Sequence, residues 1–496
     1  MYSVSSFRNK IVGAYPPGPI RAGGYAPYAM TKKSAASGLK IFFKNMETVV
    51  ILGGGPCGLS AAWELSKNGN NVVIIEAQSS PGGLCKTVRY NGFNFDLGGH
   101  RLISENNELL NKISGLMGDE MLVSERISAI RLNGREFQYP LSAGDILRQT
   151  DVRFLSWCLM DYAYQSIYKR IRHSPDISFE DWVINRFGRK LYDTFFKEYT
   201  RKLWGIPPDK LSSDWAAERI SLLSLWDVVL RLCGSGKNTP RTYTRSFFYP
   251  KQGIGQIFEY IAAEIKKSGG NIILNARFKR LLLEGERVKG IVYDIAGRDE
   301  VIDCDWVIST IPITDLRCNP DRGGECLDMS EAVRSLRYRS LRFLNILVNK
   351  PEIGKNTWTY IPDGKYIMTR IQEPRKRSPH NAPDGKTSLI LEIPCFYNDK
   401  VWNMPDDLLF KRGIDDLLKL GMDVKDKVID YFYTREKHAY PIYHLNYKHH
   451  LKKLSSWADG IENILISGRN GLFRYIFMDR AMELGFEAAK IVQNSK

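Results

Sequence analysis

Residues 47–77 read ETVVILGGGPCGLSAAWELSKNGNNVVIIEA. Val49 to Leu52 is a continuous apolar run of the kind that forms a parallel strand covered on both faces. Gly53, Gly55 and Gly58 follow in G-x-G-x-x-G spacing, and Ala61 to Lys67 is rich in helix formers. Val72 to Ile75 is a second apolar run, closed by Glu76. Three spaced glycines alone say little. A strand before them, a helix after them and an acid about 20 residues on give them meaning. The glycines let backbone approach a pyrophosphate, the helix N-terminus faces its charge, and Glu76 can accept from a ribose hydroxyl. This stretch predicts an α/β fold built on a Rossmann-like dinucleotide-binding domain.

Downstream, AQSSPGGLCKTVRYNGFNFDLGGHR (77–101) inserts a second glycine pair, Gly82 and Gly83, then two short strands, then Gly98–Gly99–His100. A nicotinamide domain usually proceeds directly to its next βα unit, so this insertion points to a flavin. Glycine in a strand context marks close approach by a ligand or another backbone. Gly98 and Gly99 are expected to admit the face of an isoalloxazine, with His100 near its reactive edge. Residues 269–312 alternate strands and turns and end in the apolar strand Trp306 to Ser309. Residues 462–492 read as a strand, Gly468–Arg469, a loop and an amphipathic helix.

A chain of 496 residues is too long for one hydrophobic core. Hydrophobic content of 43% with 25% charged residues is that of an ordinary globular protein. The net charge of +16 favours an anionic partner, such as a nucleotide, a phosphorylated substrate or a lipid headgroup. No zinc-finger spacing or RNP-type motif supports nucleic acid. The eight cysteines are scattered, without CxxC pairs, which suits a reducing, cytoplasmic setting. The seven histidines show no ligand spacing, so no metal is expected. Residues 1–45 lack Asp and Glu and are rich in Gly, Ala, Ser, Pro and Tyr; they read as a disordered or spurious extension, with Met46 directly before the first strand. The FAD-binding domain is expected to be discontinuous, 46–135, 246–330 and 455–496. A mostly helical insert at 141–245 and a strand-rich, substrate-binding insert at 335–450 interrupt it.

The PGG, hairpin and GGH pattern resembles the FAD-binding fold of glutathione-reductase type. The branch is that of amine oxidases, protoporphyrinogen oxidases, phytoene desaturases and UDP-galactopyranose mutase. In the helical insert, FFKEYTRKLWGIPPDKLSSDWAAERI (195–220) resembles the corresponding stretch of eukaryotic-type UDP-galactopyranose mutases, with Tyr199, Lys202, Trp204, Trp215, Glu218 and Arg219 in register. The resemblance implies that Trp204 lines a nucleotide pocket and that Arg219 binds the substrate diphosphate. TYIPDGKYIMTR (359–370), HAYP (438–441) and GRNGLFRY (468–475) are similar to further mutase segments. These imply Tyr360, Arg370, Tyr440 and Tyr475 at the diphosphate and Arg469 at the flavin. Two guanidinium forks and several phenols are what a diphosphate calls for. The sequence also departs from the mutases: IQEPRKRSP follows Arg370, Phe477 stands near the end, and Arg101 follows His100.

The resemblance therefore implies FAD as cofactor, reduced by NAD(P)H or another donor, and His100, Arg219 and Arg370 as catalytic residues. The implied activity is mutase-like on a nucleotide-diphosphate sugar, with reduced flavin N5 as nucleophile. The alternative is an oxidoreductase of protoporphyrinogen or amine oxidase type that passes hydride from substrate to flavin. A third reading is a flavoprotein scaffold that docks a glycan-assembly partner. Peripheral membrane association and a homo-oligomer are compatible with each.

Overall fold

A five-stranded, all-parallel sheet organises the first layer of the computed structural model, which describes residues 47–139, 148, 152–172, 175–219, 246–317 and 329–495. The expected extension at 1–45 lies outside the described residues, and the chain divides into separate units after Met46. The sheet order is Ile464–Ile466, Trp306–Ser309, Thr48–Leu52, Asn71–Ile75, Asn271–Ile273. Its central strand is buried from Val49 to Leu52 because both faces are covered, the usual state of parallel strands. The strands at 306–309 and 464–466 come from far downstream, so the domain is assembled from three separate parts of the chain.

Helix Pro56–Lys67 leaves the central strand through Gly53, whose φ of +98° a side chain would disfavour. Proline at the first helical position matches its fixed φ and missing N–H. The C-terminal helix Met478–Asn494 lies against this helix. Gly485 makes that possible, since a Cβ there would stand 2.2 Å from the Cys57 carbonyl oxygen.

The second sheet has seven strands, in the order Val428–Pro441, Tyr338–Val348, Thr387–Cys395, Arg370–Gln372, Trp358–Tyr360, Ser128–Leu132, Arg135–Gln138. The hairpin 128–138 belongs here, with Ser128–Leu132 parallel to Trp358–Tyr360. A domain boundary at 135 therefore runs through a hairpin of the substrate-side sheet. Strands Tyr338–Val348 and Thr387–Cys395 are buried along their whole length and carry the apolar core of this layer.

The chain also forms the helices Val152–Arg172, Phe179–Phe187, Lys197–Trp204 and Ser213–Arg219. Ser178 and Asp181 close a reciprocal capping box at the start of the second. Gly205 ends the third in a left-handed conformation. The last three of these helices, with Tyr192 of the turn before Lys197, meet at Phe179, Trp182, Tyr192, Trp204 and Trp215.

Candidate functional site

The glycine-rich turn forms a cradle. Gly58 is packed so closely that a Cβ would fall 2.0 Å from the Gly53 carbonyl oxygen, which fixes the helix against the strand. Gly55 faces open space instead, its nearest neighbour on the Cβ side being Gly83 Cα at 4.0 Å. Helix Pro56–Lys67 has no side-chain cap and no acid in its first turn, so its positive end is left to whatever occupies the cradle. Gly82 donates its N–H to Gly54 O at 2.7 Å and thereby joins the two glycine segments. Glu76 is buried at the end of its strand; Oε2 accepts from Gly54 N at 2.7 Å and Oε1 from Gln78 N at 2.8 Å. Each carboxylate oxygen keeps a lone pair for a hydroxyl donor. An uncapped helix end, a glycine surface and a fixed carboxylate together fit the diphosphate and ribose of FAD.

The second half of the site is built around Gly98–Gly99–His100. Gly98 has φ of +130°, and His100 N donates to Gly98 O at 3.0 Å, which folds the loop back on itself. Gly99 lies against Arg370, since a Cβ there would stand 2.8 Å from Arg370 Nη1. The His100 Nδ1 is sealed and makes no hydrogen bond. Burial, followed by the charges of Arg370, Arg469 and Arg377, pushes the imidazole down to about 3, so the ring is neutral at ordinary pH.

Arg370 is held rigidly. Its Nε and Nη2 donate to Glu392 Oε1 and Oε2 at 2.8 and 2.7 Å, a bidentate pair across adjacent strands. Burial opposes the Arg370 charge, and Glu392 with Tyr360 and Tyr440 outweighs it. Nη1 is the nitrogen left over, on the side of Gly99. The Arg370 guanidinium also lies 5.8 Å from the Tyr360 ring centroid.

Around this cation the expected aromatics converge. Tyr440 and Tyr475 stack with centroids 5.4 Å apart, and Trp204 meets them at 5.9 and 6.4 Å. Tyr199 stands edge-on to Tyr360 at 6.4 Å, with Tyr139 against the same ring at 5.1 Å. Burial raises the Tyr440 and Tyr199 phenols, which therefore remain protonated donors. Arg469 lies 4.2 Å from the Tyr475 centroid and donates to Ile476 O and Ala439 O at 3.1 and 2.7 Å. It thus ties the closing loop to strand Val428–Pro441. Phe473, two residues before Tyr475, is fully buried at a φ of +50°, a strained backbone that its packing among Tyr338, Tyr443 and Tyr447 maintains. Lys202 donates to the carbonyls of Ile361, Asp363 and Met368 at 2.9, 2.9 and 2.6 Å, fixing the loop that leads to Arg370. Arg219 ends helix Ser213–Arg219, but its side chain lies outside the described residues.

Sequence reasoning missed the support beneath these residues. Asp96 Oδ2 accepts from Arg377 Nη1 at 2.8 Å and from Tyr249 Oη at 2.5 Å, while Oδ1 accepts from Thr87 Oγ1 at 2.7 Å. Arg377 also donates to Gln372, and Gln372 donates to Glu392. A buried chain Asp96–Arg377–Gln372–Glu392–Arg370 thus runs beneath the histidine loop. Gln372 and Arg377 sit in IQEPRKRSP, the segment at which the sequence leaves the mutase pattern. Arg101, another departure, lies over the Trp358 ring at 5.5 Å, and Phe477 is 43% exposed beyond Tyr475.

A family model described as "Flavin containing amine oxidoreductase" matches residues 56–492. A protein of Klebsiella pneumoniae named "Probable UDP-galactopyranose mutase" is 27% identical over 171 residues, 34% of this chain and 43% of that protein. A Mycobacterium tuberculosis protein named as a flavin-containing monoamine oxidase is 24% identical over 250 residues, 48% of this chain and 52% of its own length. The chain thus spans about half the length of these curated relatives. A crystal structure of reduced UDP-galactopyranose mutase superimposes with a TM-score of 0.77 at 23% identity, covering 91% of this chain and 94% of the other. That likeness establishes the fold.

Proposed function

The chain belongs to the flavin-containing amine oxidoreductase family, and from that premise we propose that it acts on a nucleotide-diphosphate sugar in glycan biosynthesis. It does so as a cytoplasmic, mutase-like enzyme that isomerises the sugar without net redox change. The observation that carries this reading is the meeting of cations and protonated phenols beside the histidine loop. Arg370 presents one nitrogen that Glu392 does not use, Tyr360 and Tyr440 bear on its charge, and Tyr475 stacks on Tyr440. Such a wall suits a diphosphate, for which charge-assisted and phenolic donors are the strong ligands. Arg219 is the second guanidinium expected there.

When bound, FAD would supply a ring that is nucleophilic when reduced and a hydride acceptor when oxidised. The residues of this chain have narrower tasks. Neutral His100 can donate or accept a single hydrogen bond, but it holds no proton to give a departing diphosphate. That leaving group is stabilised instead by arginine charge. Trp204, expected to line the nucleotide pocket, is fully buried and instead backs Tyr440 and Tyr475.

The second reading is an oxidoreductase that passes hydride from substrate to the flavin, favoured by the family and by the monoamine oxidase relative. Arg370, Arg377 and Arg469 all bear on His100, and their field disfavours a cationic amine. An oxidised substrate would therefore be neutral or anionic. To test both, the FAD-loaded protein is mixed anaerobically, oxidised and dithionite-reduced, with a panel of UDP-, GDP- and dTDP-sugars. An isomer of unchanged mass formed by the reduced protein alone supports the mutase. Flavin bleaching with a product two hydrogens lighter refutes it in favour of the oxidoreductase.

A further inference from the structure

Helix Val152–Arg172 turns one face to the protein and another to solvent, and the solvent face is the apolar one. Inward, Cys158 is buried and Asp161 Oδ2 accepts from Lys190 N at 2.8 Å. Outward, Trp157 is 62% exposed, Met160 60%, Tyr164 62% and Ile167 60%. Their spacing of three, four and three residues aligns them along one stripe. Tyr164 and Tyr168 stack within it at 6.1 Å. Scattered apolar residues on a surface mean little, but a continuous stripe marks an interaction site.

Charge identifies the partner. From 152 to 172 the helix carries Arg153, Lys169, Arg170 and Arg172 against Asp161 alone, 4 − 1 = +3, and Asp161 is engaged inward. Lys190 Nζ stands 5.2 Å from the Trp157 ring centroid, at the edge of the stripe. The chain as a whole carries +16. Tryptophan and tyrosine on one face of a basic helix are the composition of an interfacial, membrane-surface element. Among the described residues no helix is long and apolar enough to cross a membrane. A second copy of the chain is a poorer occupant. From Trp157 to Tyr168 the stripe is ~16 Å long and ~10 Å wide, far below the ~800 Å² per partner of a standard protein interface.

We infer that helix Val152–Arg172 lies along the surface of an anionic bilayer, with Trp157, Met160, Tyr164 and Ile167 in the headgroup boundary. This inference does not depend on the substrate assigned above. The test uses the full FAD-loaded chain with vesicles of phosphatidylcholine alone and of an equimolar mixture with phosphatidylglycerol. Binding is expected to the mixture, weaker as salt rises. The triple variant Trp157→Ser/Tyr164→Ser/Ile167→Ser should lower the partition coefficient at least ~10-fold while retaining its flavin. Absence of binding to the anionic vesicles at low salt overturns the inference. So does undiminished binding by the variant, or a dimer in sedimentation that the variant dissolves. Should the triple variant fail to fold, brominated lipid decides. Fluorescence quenching lost in Trp157→Phe supports the inference, and quenching unchanged in Trp157→Phe overturns it.

Discussion

His100 makes acid stability a readout of the site. Its imidazole titrates at 6.5 when unperturbed and is pushed down to about 3 here by burial and by Arg370, Arg469 and Arg377. Between those values the unfolded chain binds a proton that the native ring refuses. Stability therefore falls as pH drops below 6.5, and the loss is complete below 3. Each pH unit within the window is worth about 1.36 kcal/mol. From about pH 6.5 to about pH 5, His100 alone should cost about 2 kcal/mol. His438, pushed down to about 4 chiefly by burial, adds a slope of the same sign. It is unaffected by a change at position 100, so the variant isolates the His100 share. In His100→Gln the titrating group is gone. Urea unfolding with FAD in fixed excess, at about pH 7.5 and about pH 5, should then show the variant losing about 2 kcal/mol less than the parent protein. Equal losses in the two proteins would refute both the sealed ring and the arginine field. Carbon-13 labelling of histidine gives a second check, since the His100 ring should keep its neutral shift where exposed histidines have already titrated.

Three further changes address the other parts of the site. Gly58→Ala brings a Cβ onto the Gly53 carbonyl oxygen and should abolish FAD loading, whereas Gly115→Ala, in helix Asn107–Met117 with nothing within 4 Å, should keep FAD and stabilise by about 0.5–1 kcal/mol in chemical denaturation. Asp96→Asn removes the carboxylate from Arg377, both being fully buried, and should destabilise by about 3–5 kcal/mol in the same assay. Arg370→Lys cannot reproduce the bidentate pair with Glu392; turnover should fall roughly 100-fold with the bound-flavin spectrum unchanged, and normal turnover would count against the diphosphate wall.

The first domain was legible because its signals are local. A buried parallel strand, a glycine turn and an uncapped helix lie within 31 residues, each written in a short-range pattern. The convergence of Tyr360, Arg370, Tyr440, Tyr475 and Trp204 was anticipated through resemblance, because nothing in their individual spacing brings residues from four segments together. What escaped is what long-range pairing decides. Asp96 and Arg377 are 281 positions apart, and neither the acid before a glycine pair nor an arginine in a basic run announces the other. The hairpin 128–138 is placed in its sheet by its parallel partner Trp358–Tyr360, more than 200 positions downstream. The closeness of Gly99 to Arg370 is likewise a long-range matter, the two being 271 positions apart.

The buried chain Asp96–Arg377–Gln372–Glu392–Arg370 explains how a site drawn from distant strands can be precise. Asp96 ends a strand of the flavin side, anchored there by Thr87, Tyr249 and the Ile254 N–H at 3.1 Å. Glu392 and Arg370 belong to the seven-stranded sheet. Isolated, any of the four charges would be costly to bury, but acid and base alternate along the chain and each charge lies against one of opposite sign. The order of the chain also matters. Arg377 touches Gly98 O at 3.4 Å as well as Asp96, so it holds the histidine loop from below, while Arg370 meets Gly99 from the side. A shift of the seven-stranded sheet against strand Phe93–Asp96 would strain this chain, and the histidine loop with the spare Arg370 nitrogen would move together. Substituting Gln372, the one neutral link, with leucine would cut the connection between two ion pairs while leaving each intact. The position of the histidine loop is therefore set by the seven-stranded sheet as much as by the strand that carries it.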